Sequence, residues 1–158
     1  EVRRILIVDL DVHQGDGSAA CFQDDPRVTT LSVHAGSNFP LRKVQGDLDV
    51  PLADGTSDDD YLAAIADRLP DALDNTAPEL VLFNAGVDPH RDDRLGRLAL
   101  SDAGLMMRDR LVLDACLRRR IPTATVIGGG YDALTPLVQR HAIVVRAAAE
   151  QARLFDLP

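Results

Sequence analysis

Three stretches carry residues whose types and spacing could do chemistry. The first is Asp9-Leu10-Asp11-Val12-His13-Gln14-Gly15-Asp16-Gly17. The second is Val87-Asp88-Pro89-His90, and the third is Gly128-Gly129-Gly130-Tyr131. While the first stretch stays extended, Asp9, Asp11 and His13 share one face, and Leu10 and Val12 take the other. Alternate residues then lie roughly 6.5–7 Å apart, close enough for their side chains to converge on one ion. Two carboxylates and an imidazole crowded together are costly unless a cation pairs with them. Asp88 brings a further carboxylate from a separate strand. Asp11, His13 and Asp88 together leave a coordination position open, which is the general form of a catalytic zinc site. Taken alone, Asp-x-Asp-x-His also fits a magnesium or phosphate loop, or a capped turn. The three glycines before Tyr131 mark a tight turn. They also allow the backbone to approach a substrate, with the phenol donating to a developing oxyanion.

The elements that must position these residues follow from patterning. Ile5 to Val8 is a continuous apolar run of β-formers, as in a strand covered on both faces. Val28 to Val33, Leu80 to Phe83 and Thr123 to Ile127 read as further strands, and Leu48 to Leu52 as a third or edge segment. Ser57 is expected to cap a helix whose first turn holds Asp58, Asp59 and Asp60. Its inward positions are Leu62, Ile65, Leu69 and Leu73, with a kink or break at Pro70. Ser101 caps a second helix to about Arg120, with Leu105, Val112, Ala115 and Cys116 inward. Thr135 and Pro136 read as the cap and first position of a last helix, to about Leu154. Strands alternating with helices predict an α/β fold, a mostly parallel sheet with helices on both faces. Ligands of open parallel sheets bind beyond the carboxyl ends of the strands. Three chemically loaded strand ends therefore point to one shared site.

Bulk properties narrow the function. A chain of 158 residues fits one domain, and 46% hydrophobic with 27% charged residues is ordinary for a globular protein. The net charge of −8 argues against direct contact with a nucleic-acid backbone and suits a cationic substrate. No apolar run approaches the ~20 residues that cross a bilayer, and no signal segment opens the chain. A cytoplasmic protein is expected. Cys21 and Cys116 are expected to be reduced core thiols. The chain opens Glu1-Val2-Arg3-Arg4 and enters a strand almost at once, which reads as a fragment or processed piece.

Taken together, DLDVHQGDG, TLSVH, AGVD with DDRLGRL behind it, and GGGYD resemble the second half of a histone-deacetylase-like amidohydrolase domain. The likeness spans nearly all of residues 1–158. The NFP segment, the GT-x-DD-x-YL stretch and RDRLV resemble the class IV-like branch and its bacterial relatives. The resemblance implies an arginase/deacetylase-like fold, present here as a partial domain. It implies zinc held by Asp11, His13 and Asp88, with Tyr131 stabilising the oxyanion. Asp9 and Asp16 would orient two catalytic histidines. Ser32 and Val33, with backbone oxygens of Asp9, Asp11 and His13, would hold a structural potassium ion. Phe39 would wall the acyl-lysine channel, and Gly129 and Gly130 would shape its floor and rim. The substrate would be an acyl-lysine peptide or protein, or an acylpolyamine.

One departure matters. The family's tandem histidine pair lies before the Asp-x-Asp-x-His strand, and this chain has no such pair. His34 and His141 read as structural, and His90 does not match the family's base. Two carboxylates would neutralise a zinc ion, so the site should depend on a separate general base. The chain alone is therefore expected to be a poor catalyst. Alternatives are a catalytically incomplete metal-binding fragment and a magnesium-dependent phosphatase with Asp9 as nucleophile. The phosphatase would want a lysine near the phosphoryl group, and Lys43 is the sole candidate. A di-manganese ureohydrolase would want a D-x-D at Asp88, where the chain has Asp88-Pro89-His90.

Overall fold

A computed structural model of the chain describes residues 1–157. The order is β1 (Ile5–Asp9), α1 (Asp16–Phe22), β2 (Val28–Ala35), β3 (Leu48–Leu52), α2 (Asp58–Thr76), β4 (Leu80–Asn84), α3 (Asp102–Arg118), β5 (Thr123–Val126) and α4 (Leu134–Leu154). The five strands form one sheet in the order β3-β2-β1-β4-β5, and every pairing is parallel. The chain starts at the middle strand, winds outward to the β3 edge, then crosses back to β4 and β5.

Leu6, Val8, Leu31, Val33, Val81 and Phe83 form the core with the buried faces of α2, α3 and α4. Residues one position along each strand point to the opposite face. There Gly15, just before α1, meets Asp9 and Ser32. Helices thus flank both faces, but α1 is short, and Leu82 and Val126 remain exposed on its side of the sheet. Among the described residues no helix is long and apolar enough to cross a membrane.

Several local expectations are corrected. In α2 the buried residues are Tyr61, Ile65, Leu69, Ala72 and Leu73, and Leu62 is only half-buried. Pro70 neither ends nor breaks the helix, because Leu69, Ala72 and Leu73 hold both sides of it in the core. Ser57 sits at the cap position of α2 but makes no side-chain capping bond. The Ser101 hydroxyl does cap α3, accepting the Gly104 N–H at 3.0 Å. That helix ends at Arg118, and Arg120 turns left-handed at φ 57°. α4 opens two residues earlier than expected, with Ala133 at the cap position. Pro136 falls within its first turn, where a missing N–H leaves no bond unmade. Both cysteines are unpaired, but only Cys116 is in the core; Cys21 is exposed.

Truncating the fully buried Leu69 to Ala should cost about 2–5 kcal/mol, and Leu62→Ala clearly less. Urea unfolding of both variants measures the difference; equal losses would contradict the helix orientation.

Candidate metal centre

β1 stops at Asp9, and the chain then bends through residues 11–13 rather than staying extended. Each acidic side chain turns back on its own backbone. Asp9 Oδ1 accepts the Asp11 N–H at 3.1 Å, and Asp11 Oδ1 accepts the His13 N–H at 2.9 Å. Two successive Asx turns produce the alternation that pleating would have given. Leu10 and Val12 are still fully buried, with Asp11 and His13 on the other side. The face was expected correctly, but its cause is turn chemistry.

Much of the backbone of this loop is paired. Leu10 N–H donates to Asn84 O at 3.1 Å, and Val12 O accepts from Ala35 N–H at 2.9 Å. Leu10 O accepts from Arg108 Nη1 at 3.2 Å and from the Tyr61 hydroxyl at 3.3 Å. Val12 N–H donates to Asp88 Oδ1 at 2.8 Å. That last bond fixes the Asp88 carboxylate and leaves Oδ2 facing His13. These bonds help keep so buried a loop ordered.

The two loops bring three donors together. His13 Nδ1 lies 2.9 Å from Asp11 Oδ1 and 3.1 Å from Asp88 Oδ2. One ligand atom from each of Asp11, His13 and Asp88 falls within 4.8 Å of the other two. Neighbouring glycines keep the space open. A Cβ on Gly86 would stand 2.8 Å from Asp11 Cα. Gly129, left-handed at φ 50°, would drive a Cβ into the Asp88 carboxylate and to 2.5 Å from Asp11 Oδ2.

The electrostatics are those of a site that wants a cation. Burial, first of all, pushes Asp88 up to about 6, aided by the nearby Asp11 charge. Burial also works to raise Asp11, but hydrogen bonds from the His13 ring and backbone outweigh it and leave Asp11 lowered. Hydrogen bonds to Asp11 and then Asp88 push His13 up to about 10. A proton on Nδ1 would bridge the two carboxylates. A divalent ion fits the same donors: two carboxylates and one imidazole, with neither cysteine in the cluster. The cluster sits where the strand order reverses, between β1 and β4, the usual crevice for ligands in open parallel sheets.

Tyr131 stands beside it. Its ring meets His13 edge to face at 5.8 Å and 89°. Its N–H donates to Asp93 Oδ2 at 2.7 Å, while Asp93 Oδ1 accepts from the N–H groups of Leu95 and Gly96, each at 2.8 Å. Arg140 on α4 donates to Asp132 at 2.5 Å and to Asp92 at 3.0 Å. The Gly128–Tyr131 loop is thus tied to the 92–96 loop from two sides. Desolvation, then the charges of Asp11, Asp88 and Asp93, raise the Tyr131 pKa and keep it a hydrogen-bond donor.

Asp9 Oδ1 accepts from Asn84 Nδ2 at 2.9 Å, and the carboxylate has no ion-pair partner among the described residues. Burial pushes Asp9 up to about 6. Asp16 opens α1, and its carboxylate makes no hydrogen bond or ion pair among the described residues. Ser32 is in register with Asp9, and its hydroxyl lies against Gly15 N–H and His34 Nδ1. Val33 is buried in the core beside it. Phe39 is exposed on a loop that Lys43 Nζ staples, donating to Asn38 O at 2.5 Å and Pro40 O at 2.6 Å. Gly130 faces Leu137, Val87 and His141 rather than the two carboxylates. Buried His34 and His90 bond to Ser32 and to the Asp92 N–H, so both serve the scaffold.

Sequence reasoning missed Arg108, Tyr61, Asn84, Asp93 and Arg140. Tyr61, Asp93 and Arg108 lie inside motifs that carried the family likeness, which was the one available signal. An arginine within an amphipathic helix otherwise reads as solvent-facing.

Comparisons with known proteins agree with this architecture. A family model described as the histone deacetylase domain matches residues 1–148. An uncharacterized protein of Picosynechococcus is 53% identical over 149 residues, which cover 94% of this chain and 50% of that protein. Histone deacetylase 2 of Arabidopsis thaliana is 35% identical over 133 residues, covering 82% of this chain and 34% of that protein. The solved acetylpolyamine aminohydrolase of Burkholderia pseudomallei superposes with a TM-score of 0.76 at 23% identity, over 94% of this chain and 44% of its own. The chain therefore spans half or less of the length of these relatives.

Removing the Asp93 carboxylate should loosen the tyrosine loop. Hydrogen exchange of the Tyr131 amide should speed up in Asp93→Ala, and unchanged protection would show that other contacts hold the loop.

Proposed function

The chain belongs to the histone deacetylase family, and from that premise we propose that it supplies the zinc-binding part of an enzyme that hydrolyses acyl amides. The observation that carries the proposal is the convergence of Asp11, His13 and Asp88 beside the Tyr131 ring. Zinc held there supplies Lewis-acid polarisation of the acyl carbonyl and of the attacking water. The other steps belong to the protein. Asp11 and Asp88 neutralise the ion's charge, and His13 gives up its Nδ1 proton to bind. The Tyr131 hydroxyl donates to the oxygen that gains charge as the carbonyl becomes tetrahedral. Gly129 lets the backbone lie against both carboxylates and closes the site on that side.

A general base is also required. None of His34, His90 and His141 hydrogen-bonds to Asp9 or Asp16. Asp9, raised by burial and without an ion-pair partner, is suited to orient a histidine. The proposal places that histidine outside residues 1–158. The metal-binding fragment that does no chemistry by itself is the second reading, and it rests on the same unpaired Asp9. The phosphatase reading loses its lysine, because Lys43 Nζ is occupied by two carbonyls of its own loop. The potassium ion rests on the resemblance alone.

The proposed substrate class is an acyl-lysine side chain or an acylpolyamine, and the net charge of −8 suits the free amines of the polyamine or basic residues flanking the neutral acyl-lysine. Location in the cytoplasm stays part of the proposal.

Two experiments on the intact protein test this. Asp88→Asn should abolish the single bound zinc found by elemental analysis; full metal content would contradict the ligand assignment. Tyr131→Phe should keep the zinc and lower kcat on an acyl-lysine peptide by about 10²–10³-fold. A small change would remove Tyr131 from the oxyanion role. A separate assay of the 158-residue chain should show little turnover, and full activity would place the base within it.

A further inference from the structure

We infer that the buried Arg108–Asp109 pair, together with Tyr61, is a positioning element that sets the spacing of the two metal-binding loops. The inference rests on reading Asp11, His13 and Asp88 as zinc ligands. Arg108 and Asp109 lie side by side on α3, and both are buried. Burying an ion pair contributes little net stability, and well-packed apolar residues often serve as well or better. A role beyond stability is the better explanation here, because of what the guanidinium touches.

Arg108 Nη1 donates to Leu10 O at 3.2 Å and to Gly86 O at 2.5 Å. One nitrogen thus bridges the residue before Asp11 and the residue two before Asp88. The Tyr61 hydroxyl donates to the same Leu10 carbonyl at 3.3 Å. Asp109 Oδ1 accepts from Arg108 Nε at 2.8 Å and lies 2.8 Å from Nη2, which neutralises the guanidinium and fixes its plane. A planar fork can hold an acid with one edge and two carbonyls with one of its corners, and an ammonium cannot match that geometry. Between the bridged carbonyls the loops pack so closely that Gly86 has no room for a Cβ against Asp11. A shift of Leu10 relative to Gly86 would therefore carry Asp11 relative to Asp88.

Two sequence stretches otherwise without a function meet in this network. Tyr61 belongs to GT-x-DD-x-YL and Arg108–Asp109 to RDRLV. Asp58 of the first stretch also grips the start of α3, accepting from Ser101 N–H at 2.8 Å and from its hydroxyl at 2.5 Å. The helices bearing Tyr61 and Arg108 are thereby fixed relative to each other.

The test measures zinc affinity of the intact protein against a chromophoric chelator, with the cobalt(II) visible spectrum as a report on ligand geometry. The double variant Arg108→Met/Asp109→Leu replaces the pair with apolar groups of similar size. It leaves Gly86 O without its donor and should lower thermal stability somewhat, but in the folded protein it should weaken zinc binding about 10–100-fold and alter the cobalt spectrum. Arg108→Lys should not restore affinity, because it keeps the charge and loses the fork. Tyr61→Phe removes one donor and should weaken binding less, in the same direction. Unchanged affinity and spectrum in the double variant would overturn the inference and leave the zinc site standing. If the double variant does not fold, unchanged affinity in Tyr61→Phe would overturn it instead. Parent protein that binds no zinc would sink the zinc-site reading, and this inference with it.

Discussion

Two carboxylates lie close together at the end of this sheet, Asp88 fully buried and Asp11 nearly so. Like charges repel strongly where water is scarce, and neither group can escape by rotation. Asp88 is pinned by the Val12 N–H and Asp11 by the His13 N–H. A proton or a positive charge between them relieves that repulsion. In the chain by itself the His13 imidazolium meets that need, through bonds to both carboxylates. A divalent ion would meet it better, because it would bind all three residues at once and leave a position open. Much of the surrounding detail follows from that demand. Gly86 and Gly129 leave the room, and Arg108 and Tyr61 hold the loop that carries Asp11 and His13.

Topology brings the parts within reach. β1 and β4 are neighbours in the sheet although 70 residues of chain lie between Asp9 and Leu80. Asp9 is in register with both Ser32 and Asn84, so the strands release their loops at one height. Pairing then continues beyond the strands. Ala85 N–H donates to Val126 O at 3.0 Å and Val87 N–H to Gly128 O at 3.2 Å. Those bonds lead the Gly128–Tyr131 segment alongside the Asp88 loop. Asp93 and Arg140 then hold it there.

Much of this was legible in the sequence. Apolar runs located all five strands, and polar residues at three strand ends located the site. Residue types at Asp11, His13 and Asp88 suggest metal donors, and the three side chains do converge. What was not legible depends on contacts between distant segments. Whether the Asp-x-Asp-x-His run stays extended or folds into Asx turns depends on Asn84 and Asp88, some seventy residues away. The same run would read identically in either conformation. Arg108 looks like any surface arginine on a helix until α3 is packed against Leu10 and Gly86. Leu62 and Tyr61 are adjacent apolar positions, and only the partner at Leu10 O decides which one turns inward.

The central claim is that Asp11, His13 and Asp88 together hold one zinc ion through nitrogen and oxygen alone. X-ray absorption at the zinc edge of the intact protein addresses it directly. The predicted result is one zinc per protein with only light scatterers at about 2.0–2.2 Å, a mixture of one imidazole and carboxylate or water oxygens. A sulfur scatterer near 2.3 Å, or a second metal close by, would contradict it.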